Sequence, residues 1–394
     1  MLGLLLLGGC GGPRQIEITE PGGGAYEASL ARFGDGWAVA WYDTRGGHPE
    51  LYARLLDVNG EPTGPPRRLT DTPDDSYEPQ LAAAGASELV VAWYAVSPSG
   101  ASVTHVAAWD VADDAGLEWS QNGGAGPRWT RTLSNHTRLG RNVIVRVENR
   151  RLFCAWIEKG MDTRDAGVWA QWFDLDLAGR PLAPAQRLAD AGPTTWNVNA
   201  AIDGDGRAWV VFDATVDTRA DEIFLVGIDA DGTAASPVRL TADDGVASKY
   251  PDLAFGPHSA AVTWLDERDG NEEVYLVVAP FRELGDRFEA HARRVTTTAG
   301  ASIGAYLVWN RDRVGLAWSD DTVGEAEVYF QAFDATGAAL HLAERLTHNP
   351  TASLIPAIRP SDDGFALVWN EDVVAERGDH RSGGRSDIVF ATVR

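Results

Sequence analysis

Seven times along the chain an apolar run ends in an aromatic residue, at Trp41, Trp93, Trp156, Phe212, Trp264, Trp318 and Trp369. The runs read VAWYD, VAWYA, CAWIE, VVFDA, VTWLD, LAWSD and LVWNE, and successive anchors lie 52, 63, 56, 52, 54 and 51 residues apart. An element present seven times is a structural unit, because a single reaction centre has no use for seven copies. A period of this length marks a solenoid, a propeller or an array, and it constrains the fold more than any local propensity. The apolar residues alternate or run continuously for short stretches and lack a 3.6-residue period, so each unit is built of short strands.

Four strands, A to D, account for one unit. Strand A opens on Ser-x-x-Pro-x-Leu/Ile, clear at Ser76 to Leu81, Ser248 to Leu253 and Ser353 to Ile358. A turn rich in glycine, such as GDG before Trp37 or DGDG before Arg207, joins A to B, since tight hairpins need residues that tolerate positive φ. Strand B carries the aromatic anchor. Strand C is Glu, a hydrophobic residue and an aromatic one, as at Glu50-Leu51-Tyr52, Glu222-Ile223-Phe224, Glu273-Val274-Tyr275 and Glu327-Val328-Tyr329. Strand D is Arg-Leu-Thr at Arg68, Arg239 and Arg345, with Arg294-Val295-Thr296 as a variant. Four-stranded sheets repeated radially form a β-propeller, and seven such blades close comfortably. The expected fold is therefore all-β, a seven-bladed propeller of four-stranded antiparallel blades.

The two termini predict how the ring closes. The last unit runs through strand C at DIVFATVR with no strand D after it, while RQIEITEP near the start resembles the Arg-Leu-Thr element. Gln15 to Thr19 is expected to complete blade seven, which removes an open sheet edge that would invite aggregation.

The carboxylates two residues beyond the anchors, Asp43, Glu158, Asp266, Asp320 and Glu371, are read as caps of the B-to-C turns, accepting backbone N–H groups. Arg45 and Arg268 add a charge-assisted contact to the same loops. Asp203-Gly204-Asp205-Gly206 resembles part of a calcium loop but has no bidentate Glu, so it reads as a hairpin turn. No metal site and no cofactor is expected. A formal charge of −23 argues against a nucleic-acid partner, because such proteins gather Lys and Arg against the phosphates.

Together, Ser-x-x-Pro-x-Leu and Trp-x-Asp resemble the propellers of the sialidase-like and TolB-like superfamily, common among bacterial envelope lipoproteins. The resemblance covers residues 15–394, read as one domain. It implies a fold and leaves activity open, since this architecture hosts hydrolases, lyases and interaction platforms alike. The opening MLGLLLLGGCGG resembles a lipobox: residues 1–9 would be a leader, Cys10 the lipidated residue, and residues 10–14 a tether to the membrane. Acylation with two or three chains would anchor the protein stably. Gly11 after Cys10 fits delivery to the outer membrane. Cys154, in the apolar run LFCAWI, reads as a buried free thiol.

Function in a propeller is expected where the blades differ, at the channel mouth reached by the D-to-A and B-to-C loops. The varying residues there are Tyr26 and Glu27, Tyr77 and Glu78, Arg138 and Arg141, Trp196 and Asn197, Lys249 and Tyr250, then the plainer Ile303 and Leu354. A long charged B-to-C loop from Glu371 to Asp387, with Arg377, His380, Arg381 and Arg385, is expected to overhang the same mouth. An insertion after Asp110, including Trp119, falls between strands C and D of blade two on the other face. Gly-x-Ser-x-Gly, His-Glu-x-x-His and Cys-His arrangements are absent. A sialidase-type hydrolase would draft Arg138, Arg141, Tyr26, Glu27 and Glu78, but the family's Ser-x-Asp-x-Gly-x-Thr-Trp box and its Phe-Arg-Ile-Pro element are missing. The leading expectation is a lipid-anchored envelope scaffold that binds a glycan, peptide or protein. The alternative is a glycoside hydrolase or lyase on the same scaffold.

Overall fold

The structure is a computed structural model that describes residues 12–21, 23–112, 118–119, 126–134, 139–160, 165–192, 194–215, 217–284, 288–374 and 385–394. It forms seven antiparallel sheets, each ordered as the chain runs except the last. Blade one comprises strands Ala25–Phe33, Gly36–Asp43, Glu50–Leu56 and Arg67–Arg68. Blades two to six repeat this order from inner strands Asp75–Ala83, Leu139–Glu148, Val198–Ile202, Ser248–Phe255 and Ser302–Asn310. Blade seven takes Ala352–Pro360, Phe365–Val374 and Arg385–Val393 from the end of the chain, and its fourth strand, Gln15–Glu17, from the beginning. Gln15 pairs with Ala391 and Glu17 with Val389, which confirms the expected clasp. The inner strands contact one another in sequence around the ring, and blade seven meets blade one.

Among the described residues, seven core clusters of apolar side chains lie one between each pair of neighbouring blades, and a small eighth joins Ala326 to Leu354. The continuous apolar runs seen in the sequence have this cause: both faces of every sheet are buried, each against the next blade. Between blades seven and one, Trp37, Trp41 and Phe390 bury Ile16 and Ile18 from the clasp. Cys154 is fully buried between blades two and three, and burial pushes its thiol well up, away from reactive thiolate.

The repeated polar residues hold each blade together. Asp266 accepts the Trp264 indole N–H at 2.8 Å, the Ser248 hydroxyl at 3.0 Å and the Arg268 backbone N–H at 3.0 Å. The Ser of strand A and the acid after the anchor are thus one device, and Ser302 to Asp320 and Ser353 to Glu371 repeat it. The expected guanidinium contacts are present at Arg45 and Arg268, 2.8 Å and 2.7 Å from their carboxylates. Farther out, Glu50 accepts Arg68 at 2.8 Å and the Thr70 hydroxyl, while Thr70 itself accepts the Leu51 N–H. Asp203 caps its own hairpin through the N–H groups of Asp205 and Arg207, both at 3.0 Å, so the calcium-like run is a turn.

Two details of the loop expectations change. The seventh B-to-C segment is shorter than Glu371 to Asp387, because the flanking strands extend to Val374 and begin at Arg385, which pair with each other. Blade two's insertion adds a short pair, with Val111 opposite Trp119 beyond strand C. Arg377, His380, Arg381, Arg138 and Cys10 lie outside the described residues.

Candidate functional site at the channel mouth

Each inner strand except blade four's begins with a bulge, and the residue on it is left-handed. The φ values are 53° at Glu27, 50° at Glu78, 42° at Asn142, 54° at Tyr250, 55° at Gly304 and 56° at Ile355. Register shifts fall at the same place, between Tyr26 and Ser29, Tyr77 and Gln80, and Lys249 and Asp252 among others. A bulge re-aims a side chain, and a left-handed residue other than Gly or Asn carries strain on the order of 1 kcal/mol that its surroundings must hold. Here polar side chains from the preceding blade do so. Asn370 accepts the Glu27 N–H at 3.1 Å, and Asp213 accepts the Tyr250 N–H at 3.1 Å.

Asp213 also takes the N–H groups of Trp196 and Asn197, at 3.0 Å and 3.2 Å. Burial raises its carboxyl to about 6 despite those three donors, which pull the other way, and nearby Asp221 adds to the rise. Neither Asp213 nor Asn370 stood out in the sequence; both follow the aromatic anchor directly, a position taken by Tyr, Ile, Leu or Ser in other blades.

Among the sequence-selected residues, the structure groups Tyr26, Glu27, Tyr77, Glu78 and Arg141 on blades one to three. Tyr26 stacks on Tyr42 at 5.4 Å, Tyr42 meets Tyr77 edge-on at 5.2 Å, and Tyr77 stacks on Tyr94 at 5.4 Å. The Arg141 guanidinium lies 5.9 Å from the Tyr94 ring, extending this ladder. Tyr94 donates to Glu78 at 3.4 Å. Tyr26, Tyr42 and Tyr94 are buried, so the ladder is a wall beneath the mouth.

Trp196, Asn197, Lys249 and Tyr250 form a second group on blades four and five. Trp196 is 53% exposed and covers the Lys159 ammonium 3.5 Å from its ring centre, a cation–π contact. Burial, and then Arg141, lower the Lys159 ammonium from its ordinary value. Asn197 accepts from Asn142 at 3.2 Å, Lys249 pairs with Glu267 at 2.7 Å, and Tyr250 is 40% exposed.

One residue joins the two groups. Tyr306, in blade six's inner strand, has its phenol pushed above the ordinary range, first by burial and then by Asp252, Glu27, Glu78 and Tyr250. Groups from blades one, two and five therefore act electrostatically on one hydroxyl of blade six. Gly304 makes this possible: a Cβ there would stand 3.3 Å from the Tyr306 ring, so a side chain at Gly304 would crowd the phenol. The signal in the sequence was the lone glycine where other blades place Glu, Asn, Tyr or Ile.

A cleft of about 810 Å³ lies on the opposite face across blades three to five. Its wall includes Trp172, Trp209, Phe255 and Phe281, but Asp203 there caps a turn and binds the Trp209 indole, and Arg207 pairs with Asp229. Volume alone does not make chemistry, and the convergence of unlike polar groups favours the mouth. Among the described residues no group of three or more His, Cys, Asp or Glu side chains could hold a metal ion.

The fold and the mouth define a seven-bladed β-propeller with a polar ring at one end of its channel. No protein-family model matches the chain, and no curated protein does. Among solved structures, it is similar to a protein of unknown function from Dyadobacter fermentans, at 11% identity and TM-score 0.52, covering 85% of this chain and 98% of that one. It is similar to a Penicillium chrysogenum alpha-L-arabinanase complexed with arabinobiose, at 12% identity and TM-score 0.53, covering 77% and 90%. A subtype N10 neuraminidase-like protein of A/little yellow-shouldered bat/Guatemala matches at 8% identity and TM-score 0.50, covering 82% and 98%. Identities this low establish a shared propeller fold.

Proposed function

We propose that the protein binds a glycan at this mouth and is held at the bacterial envelope through Cys10. The observation that carries the reading is that Glu27, Glu78 and Tyr250 occupy equivalent left-handed positions at the start of the inner strands of blades one, two and five, and all act electrostatically on the Tyr306 phenol. Carboxylates and phenols are the acceptors and donors that sugar hydroxyls need, and the exposed rings of Trp196 and Tyr250 offer faces on which a pyranose or furanose can stack. The arabinobiose complex of the similar arabinanase agrees with this ligand class.

The test is a thermal-shift and calorimetric screen of the protein against neutral oligosaccharides, sialosides and peptidoglycan fragments. One class should raise the melting temperature saturably, and Glu27→Gln, Glu78→Gln and Tyr306→Phe should each weaken binding about 10-fold or more, the worth of a hydrogen bond to a charged group. A panel without any saturable shift, or variants that bind as the parent does, would sink the reading. The leader is tested by mass spectrometry of the cell-derived protein, which should show an acylated N-terminal Cys10.

Hydrolysis at the same mouth is a second reading, favoured by two carboxylates, Glu27 and Glu78, at equivalent positions on neighbouring blades and by the Tyr94–Glu78 contact. It places Glu78 beside Tyr94, where the sequence had drafted Tyr26 for a tyrosine–carboxylate pair. Release of reducing sugar from a bound oligosaccharide, abolished in Glu27→Gln or Glu78→Gln, would support it; binding without turnover would remove it.

A further inference from the structure

Deeper in the channel the charge changes sign. Arg146 of blade three and Arg359 of blade seven occupy the same place on their inner strands, four residues past the bulge position and so about 13 Å of strand below the mouth. Ala31, Ala82, Ala201, Ala254 and Val308 fill that place in the other blades. Each guanidinium bends back onto the carbonyl of the residue before it, Val145 and Ile358, both at 2.8 Å. Arg146 also reaches across to Asn199 of blade four at 2.9 Å.

The two cations face the channel from blades three and seven, and burial and then Arg359 lower Arg146 to about 10. The carboxylate that acts on both is Asp252 of blade five, whose two oxygens already accept the N–H groups of Leu253 at 2.8 Å and Leu307 at 2.9 Å. Among the described residues neither arginine forms an ion pair, unlike Arg45, Arg68, Arg128, Arg150, Arg268, Arg294 and Arg345. Two half-buried guanidinium groups against one occupied carboxylate leave an excess positive charge inside a chain of net −23. Drawing such charge partly out of water is unfavourable unless a counter-charge lies beside it.

We propose that the channel binds a small oxyanion, a carboxylate or phosphate group, between Arg146 and Arg359, with Asn199 positioning the first of them. Planar guanidinium forks suit such groups, each offering paired N–H donors. The site does not depend on the mouth's ligand, although an acidic group carried by that ligand is one possible source of the anion.

The full chain is titrated with inorganic phosphate in a zwitterionic buffer at constant ionic strength, and thermal unfolding and equilibrium dialysis are followed. The expected result is a saturable rise in melting temperature of a few degrees and one phosphate bound per chain. Arg146→Gln and Arg359→Gln should each weaken the response at least 10-fold, while Tyr306→Phe retains it. Parallel titrations with glucuronate and glucose identify the source: a glucuronate response at the same two arginines, without one to phosphate, assigns the anion to a sugar. A rise that never saturates, dialysis without stoichiometric uptake of either anion, or saturable binding unchanged in both arginine variants overturns the site. Should a Gln variant fail to fold, Arg146→Lys and Arg359→Lys preserve charge but lose the fork, and they should show weakened yet measurable binding; full parental affinity in both would also overturn it.

Discussion

Ser76 and Ser248 occupy the same place in the repeat, yet they differ in what they meet. Ser248 donates to Asp266, whose carboxyl is held below its ordinary range: burial would raise it, but Arg268 and the Trp264 indole outweigh that effect. In blade two the corresponding acid is Ala95, and among the described residues the buried Ser76 hydroxyl has no partner. Ser248→Ala should therefore cost about 1–2 kcal/mol, since it strips a donor from a buried charge. Ser76→Ala should cost less than about 0.5 kcal/mol or stabilise slightly. Urea unfolding of the two variants checks the contrast, and equal costs would show that the hydroxyl packs rather than bonds. The same scale explains why parts of the mouth were hidden in the sequence. Tyr26, Glu27, Tyr77 and Glu78 sit inside a repeated motif, so their variation between blades was visible. Tyr306, Asp213 and Arg146 matter through contacts with the next blade or across the channel, and no spacing along one strand reports such a contact.

At the level of strands C and D, the Glu–Thr–Arg device shows how a sheet edge is finished with two-residue strands. In blade five Arg294 donates to Glu273 at 2.7 Å and to the Thr296 carbonyl at 2.7 Å, and blade six repeats this with Arg345, Glu327 and Thr347. Blade four keeps Thr241 on Glu222 at 2.6 Å, but Arg239 is exposed and acts only from a distance. Burial accordingly raises the Glu222 carboxyl to about 7, with Asp244 and Asp243 reinforcing it. The folded pKa exceeds the unfolded value, so Glu222 contributes stability that is fully present below about 4.5 and is lost as pH rises through about 7. Glu222→Gln should flatten part of the fall in melting temperature over that window. Asp213, raised to about 6, has the same sign and should account for a further part, so the variant's curve should not become level. Glu273→Gln should instead destabilise at every pH above the carboxylate range, because it removes the buried charge that Arg294 meets at 2.7 Å and leaves that guanidinium only Asp269 as an ionic partner. Melting curves from pH 4 to 8 test this; an unchanged slope in Glu222→Gln would mean that the carboxyl is hydrated. The Glu and Arg-Leu-Thr elements were legible because they recur, whereas the exception in blade four depends on where one guanidinium comes to rest.

For the whole molecule, stability rests on a closed ring in which each blade is buried only by its neighbours. Six interfaces join blades that are adjacent in the chain, and the seventh joins its two ends. There Ile18 is fully buried and Ile16 nearly so, the Thr19 hydroxyl accepts the Ile388 N–H at 3.0 Å, and Arg54 donates to the Ile18 carbonyl at 2.6 Å. Thr19 thus plays for blade seven the part that Thr70 plays for blade one, which is why the Ile-Thr pair near the start could be matched to strand D. Burying two isoleucines is worth about 3–6 kcal/mol, a large share of the roughly 5–15 kcal/mol that holds a typical fold. A chain beginning at Gly23 should therefore lose a comparable amount relative to one beginning at Gly12, and its blade-seven edge, with strand Arg385–Val393 unpaired on one side, should promote association. Urea midpoints and size-exclusion chromatography measure the two consequences separately. If the shorter chain unfolds at the same midpoint and elutes as the longer one does, the clasp is dispensable and closure must come from the packing of Trp37 on Phe390, whose rings lie 5.8 Å apart. If it is weakened but remains monomeric, burial of the isoleucines matters and protection of the edge does not.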